Sequence, residues 1–86
     1  MKKIVLFKSP TCGPCRMFQP NLQAAANTLN AELEIVDVTT DEGLKFAQEN
    51  GVTKSGVALY EIDGEVKIRW ERPYPTQKLL EDIEKI

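Results

Sequence analysis

The sequence predicts an α/β domain: a four-stranded mixed sheet with three flanking helices in the order βαβαββα. Three observations predict it. A continuous apolar run near the amino terminus is followed by a helical periodicity and then a second apolar run, the pattern of a βαβ crossover between parallel strands. Two later apolar runs are separated only by Asp63-Gly64, the two-residue signature of a type I′ hairpin. Finally, the chain closes on an amphipathic helical stripe. With 86 residues, 42% hydrophobic and 28% charged, it suits one domain over 1–86 with a single active site.

Residues 3–7, Lys3-Ile4-Val5-Leu6-Phe7, carry an apolar run after Lys3 without alternation, so this strand is expected in the sheet interior, covered on both faces. Lys8-Ser9-Pro10-Thr11 breaks the run, because Pro10 has no N–H for a ladder. Over 13–30, Phe18, Leu22, Ala25 and Leu29 recur at helical spacing on one face, with Thr11 expected as the cap and Pro20 expected to kink the helix. Residues 32–39 form the second strand. Thr39-Thr40-Asp41-Glu42 reads as a Thr-x-x-Glu capping box for a short helix through Asn50, with Leu44 and Ala47 facing inward and Phe46 flanking them. Strands 57–62 and 65–70 make the hairpin, and Val66, Ile68 and Trp70 are expected to share its buried face. Thr76 is expected to cap the last helix, whose Leu79, Leu80, Ile83 and Ile86 face the sheet.

Composition excludes several chemistries. A formal charge of −2 gives no electrostatic case for nucleic acid. The chain has no histidine, which removes the usual general base, the Cys-His pair of a thiol hydrolase and the commonest metal ligand. The apolar run after Lys2-Lys3 is shorter than the roughly 7–15 residues of a secretory core, and no stretch approaches the ~20 of a membrane span. The expectation is a cytoplasmic protein without membrane attachment, where a lasting structural disulfide is disfavoured.

Both cysteines lie in Cys12-Gly13-Pro14-Cys15, at the carboxyl end of the first strand and the start of the first helix, where open α/β sheets place their sites. A separation of three residues brings the sulfurs to one side of the first turn, within bridging reach, with Cys12 at the lip and Cys15 a turn inside. Unpaired helix N–H groups favour a thiolate there. Lowering a thiol from pKa ~8.5 to ~7 raises the thiolate at pH 7 from about 3% to about half and requires roughly 2 kcal/mol. A helix dipole supplies only about 0.3–1 kcal/mol of this, so hydrogen bonds to the sulfur must add the rest, with Lys8 as a distant charge. The residues therefore point to thiol–disulfide exchange: Cys12 attacks a target disulfide and Cys15 resolves the mixed disulfide. Packing of two inert cysteines, and a zinc ion shared between two copies, are the weaker readings.

Cys12-Gly13-Pro14-Cys15-Arg16-Met17-Phe18-Gln19-Pro20 resembles the active-site helix of the thioredoxin family, and the likeness continues through Gly51-Val52 and the Asp63-Gly64-Glu65 hairpin. In size the chain is similar to glutaredoxin-like and miniature thioredoxins, without the leading strand and helix of full thioredoxins, and Lys8-Ser9-Pro10-Thr11-Cys12 has a glutaredoxin-like character. The resemblance implies a thioredoxin fold and a protein-disulfide reductase whose catalytic residues are Cys12 and Cys15. It also implies substrate contacts from Gly13, Pro14, Ser55 and Gly56. The implied partners are disulfide-containing proteins and an external reductase or thiol reductant. No cofactor or metal is called for, and a monomer is expected.

Three positions depart from the family pattern. Thr11 replaces the usual aromatic residue, and Leu6 stands where a buried carboxylate would help deprotonate Cys15. Gly56 takes the place of a cis-proline. A cis bond before a non-proline residue costs about 2.5–4 kcal/mol, so a trans peptide is expected there. Gly56 then reads either as a flexible lead into the strand or as a looser substrate groove beside Cys12. Two further readings follow: a glutathione-dependent, glutaredoxin-like reductase, and a binding module or dimer bridged through Cys12 and Cys15 by a metal or iron–sulfur cluster.

Overall fold

A computed structural model describing residues 1–86 places β1 (Lys2–Lys8) in the interior of a four-stranded sheet ordered β2-β1-β3-β4. The helix α1 (Gly13–Leu29) carries the chain to β2 (Glu32–Asp37), which pairs parallel to β1, with Lys3 opposite Glu32 and Lys8 opposite Asp37. After α2 (Asp41–Glu49), β3 (Val57–Ile62) pairs antiparallel with the other side of β1, Phe7 lying opposite Val57. β4 (Glu65–Trp70) forms the far edge, and α3 (Thr76–Glu84) ends the fold.

The unbroken apolar run of β1 is explained by the pleat. Ile4 and Leu6 enter one core with Phe18 and Leu22 of α1, Tyr60 of β3, Trp70 of β4 and Leu79 of α3, while Val5 and Phe7 enter a second core with Ala47 of α2 and Val57 and Leu59 of β3. All four β1 residues are fully buried. Each such side chain contributes about 1.5–3 kcal/mol by leaving water, so β1 is the strand whose loss the fold tolerates least. α1 and α3 thus cover one face and α2 the other.

The ends of the elements follow local chemistry. Asn30, in the left-handed region at φ 56°, terminates α1, and the next N–H, from Ala31, returns to the Ala26 carbonyl at 2.8 Å. Pro20 is accommodated inside one continuous α1. Asp63 and Gly64 both have positive φ, 53° and 84°, as a type I′ turn demands.

Several expectations are corrected. α2 is capped by Thr40 rather than Thr39: the Thr40 hydroxyl accepts the Gly43 N–H at 3.0 Å, while Thr39 donates both its N–H and its hydroxyl to Asp37. Shifting the cap by one residue turns Gly43 and Ala47 inward and leaves Leu44 47% exposed. In the hairpin, Tyr60 pairs with Ile68 but Glu61 pairs with Val66, so Lys67 is an extra, bulged residue. The bulge breaks the alternation, and Val66 is exposed while Trp70 stays buried. Thr76 does not cap α3. Its hydroxyl reaches across to the Asn21 carbonyl of α1, and Asn21 returns a side-chain N–H to the Tyr74 carbonyl, which ties the α3 approach to α1. Ile86 lies beyond the packed stripe and is exposed.

Candidate active site

β1 ends at Lys8, and the turn through Ser9-Pro10-Thr11 is closed by the Cys12 N–H donating to the Ser9 carbonyl at 3.1 Å. The closure makes Cys12, not Thr11, the cap of α1. With φ −80° and ψ 102° it is extended, and its Sγ accepts the Cys15 N–H at 3.2 Å. Sulfur here takes the place that a serine or aspartate oxygen usually fills at a helix start. Pro14 falls in the first turn, where no backbone donor is required. Cys12 and Cys15 are joined in a disulfide, their Cα atoms 5.3 Å apart.

The two sulfurs meet different surroundings. Cys12 is 8% exposed and Cys15 2%, so an incoming group reaches Cys12 first. Cys15 Sγ lies 3.9 Å from the Phe7 carbonyl oxygen, which in the dithiol form is placed to accept its S–H. The same oxygen accepts the Gly56 N–H at 2.7 Å. Gly56 is buried, with φ +86°, and a Cβ built on it would stand 3.8 Å from Cys12 Sγ. All peptide bonds are trans. Gly56 is therefore more than a flexible lead into β3: its positive φ and its donated N–H are two features that a proline lacks. Leu6 is wholly buried among Phe18, Leu22 and Tyr60, and the core contains no buried charged side chain, so no carboxylate lies beneath the disulfide.

Of the residues singled out from the sequence, the fold brings Cys12, Cys15 and Gly56 together. Gly13 and Pro14 sit exposed on the first turn of α1 beside them, and Ser55 is half-buried in the preceding loop without a side-chain hydrogen bond. The sequence reading missed Arg16 and Gln19. Together with Lys8, Ser9, Pro10, Cys12 and Cys15 they line a cleft of about 190 Å³ opening onto the disulfide. Lys8 Nζ donates to Gln19 Oε1 at 3.5 Å across it. The missed signal was a basic residue directly after the second cysteine, one helical turn from the first. Asp37, opposite Lys8 on β2, is held below the usual carboxylate range, chiefly by the Thr39 hydroxyl and N–H and to a lesser degree by the Lys8 charge.

Comparison with known proteins agrees with this geometry. The thioredoxin family model matches residues 1–85. Thioredoxin of Bacillus subtilis is 37% identical over 60 residues, covering 70% of this chain and 58% of that protein. The M-type chloroplastic thioredoxin of Pisum sativum is 30% identical over 82 residues, 95% of this chain and 48% of that one. The matched stretch thus spans about half the length of these thioredoxins, and only 9% of NADPH-dependent thioredoxin reductase 3 of Arabidopsis thaliana, which is 35% identical over 49 residues. Among solved structures, Fasciola hepatica thioredoxin superposes with a TM-score of 0.79 at 29% identity, covering 98% of this chain and 79% of its own. Thioredoxin 1 of Thermosipho africanus gives 0.83 at 22%, covering 96% and 91%, a likeness of fold. A dithiol pair at the first turn of α1, in a fold and a sequence pattern that match over nearly the whole length, makes this chain a member of the thioredoxin family.

Proposed function

We propose that the chain is a thiol–disulfide oxidoreductase that reduces protein disulfides. The observation that carries this reading is the Cys12–Cys15 disulfide itself, set where Cys12 Sγ accepts a helix N–H and is the more exposed sulfur. The N–H that Cys15 donates stabilises a negative charge on Cys12 Sγ more than a neutral thiol, which lowers the thiol pKa and raises the attacking fraction.

In the reduced protein the Cys12 thiolate attacks one sulfur of a target disulfide. A Cys12–target bond forms, the target bond breaks, and the released target thiolate takes up a proton. Cys15 then gives up its proton to water or to the departing thiolate and attacks Cys12 Sγ, forming the intramolecular bridge and expelling the second target sulfur. Two electrons pass from the dithiol to the target. A thiol reductant or a reductase restores Cys12 and Cys15. Gly13 and Pro14, which follow Cys12 on α1, Gly56, which faces its Sγ, and Ser55, which precedes Gly56, form the proposed contact surface for the target backbone. A reducing, cytoplasmic setting goes with this reading, because it keeps the dithiol available for turnover.

Insulin-disulfide reduction in the presence of dithiothreitol tests it. Wild type is expected to shorten the onset of insulin precipitation several-fold, and Cys12→Ser to give the uncatalysed rate. Equal onset for wild type, Cys12→Ser and Cys15→Ser would overturn the proposal.

A further inference from the structure

The cleft beside the disulfide carries two cationic side chains, Lys8 from the end of β1 and Arg16 from the first turn of α1, and no acidic one. Neither cation is in an ion pair, although five other pairs occur on this surface. Asp37, opposite Lys8 on β2, is occupied by the Thr39 N–H and hydroxyl in the turn before α2, and Lys8 hydrogen-bonds to Gln19 in the cleft instead. The protein as a whole is acidic, with a net charge of −2, so this local positive charge runs against the average. Gly56 lies outside the cleft, which therefore extends from the disulfide separately from the Gly56 side.

Building on the oxidoreductase reading, we infer that Lys8 and Arg16 select disulfide substrates bearing a carboxylate close to the scissile bond. Such a carboxylate enters the cleft as Cys12 attacks, where Lys8 and Arg16 supply charge and Gln19 a hydrogen bond. The carboxylate has two sources: an acidic residue beside a cystine in a peptide, or the carboxylates of a low-molecular-weight disulfide such as glutathione disulfide. Both take the same electron pair from the dithiol and leave as two thiols.

The test uses the pre-reduced full chain and three cyclic peptide disulfides identical except for an acidic, neutral or basic residue beside one cysteine, with glutathione disulfide as a fourth substrate. Acid-quenched time courses give the second-order exchange rates. The acidic peptide is expected to react about five- to tenfold faster than the neutral one at low salt, an advantage that shrinks at high ionic strength as screening predicts. Lys8→Gln and Arg16→Gln should each reduce that acidic-to-neutral ratio several-fold, and it is the ratio, not the neutral-peptide rate, that reads the cleft. A mere change in Cys12 acidity would move all rates alike. If glutathione disulfide shares the salt-sensitive advantage and loses it in both variants, the cleft takes the small-molecule carboxylate as well; if only the acidic peptide does, it reads peptides. Rates independent of flank charge, or a preference that survives in the double variant, overturn the inference while leaving the redox reading standing. Failure of every substrate to react overturns both.

Discussion

The Gly56 N–H donates to the Phe7 carbonyl at 2.7 Å, extending the β1·β3 ladder one step to the disulfide that the same carbonyl faces. Proline at this position would lose the N–H, leave a buried carbonyl short of a partner and require φ near −65° where the backbone has +86°. Gly56→Pro should therefore destabilise the fold, by about 3 kcal/mol from the lost bond and the dihedral conflict together. Gly56→Ala keeps the N–H and places its Cβ at an ordinary 3.8 Å from Cys12 Sγ, so it meets only the dihedral cost, about 1–2 kcal/mol. Urea unfolding of the three proteins should give that order.

Gly43 reverses a general rule. Replacing a glycine inside a helix by alanine ordinarily stabilises by about 1 kcal/mol. Here an added Cβ would overlap the Asp37 carbonyl oxygen, a backbone atom that also accepts the Thr40 hydroxyl. The clash outweighs the propensity gain because relief requires α2 to move away from the end of β2. Gly43→Ala should lower the unfolding free energy by about 2 kcal/mol or more, as overpacking does in tight cores. Exposed Gln48→Ala on the same helix should change it by less than about 0.5 kcal/mol.

Asp82 couples stability to acid. The Trp70 indole N–H donates to it at 3.0 Å and Lys78 pairs with it at 3.0 Å, and these contacts, the indole first, hold its pKa below the ordinary 3.8. A depressed folded-state pKa means the unfolded chain binds the proton more readily. The contribution is then fully present above the unfolded value and is lost as pH falls through the folded one. Thermal midpoints of wild type should decline between about pH 5 and pH 2, and Trp70→Phe should show a shallower decline over that window.

Much of this fold was legible because its signals are short-ranged. The alternation-free β1, the helical spacing of Phe18, Leu22 and Ala25, and Asp63-Gly64 each dictate local conformation without reference to distant residues. What escaped depends on single-residue offsets and on contacts across the fold. Thr39 and Thr40 offer equal capping chemistry, and only the demand of Asp37 on Thr39 decides between them. The bulge at Lys67 reverses the side on which Val66 lies, and no local residue announces it. At the site, the cysteine motif identified the reacting pair, but the positive φ of Gly56 and the meeting of Lys8 with Arg16 and Gln19 arise only when β1, α1 and the loop before β3 converge.

The N–H held by Cys12 Sγ implies a thiol more acidic than a free cysteine, whose pKa is about 8.5. The rate of iodoacetamide alkylation of the reduced protein, followed against pH, should rise with a midpoint below that value and report a single modified residue, Cys12.

The division of labour between the two sulfurs is the centre of the account, and trapping measures it directly. Pre-oxidised target disulfide is mixed with reduced Cys15→Ser or Cys12→Ser protein, quenched in acid and read by intact mass. Cys15→Ser should accumulate a stable one-to-one mixed disulfide mapped to Cys12, since the resolving thiol is gone, and Cys12→Ser should accumulate none within the same time. A mixed disulfide forming on Cys15 as fast as on Cys12 would contradict the assignment of attack to the exposed, N–H-bonded sulfur.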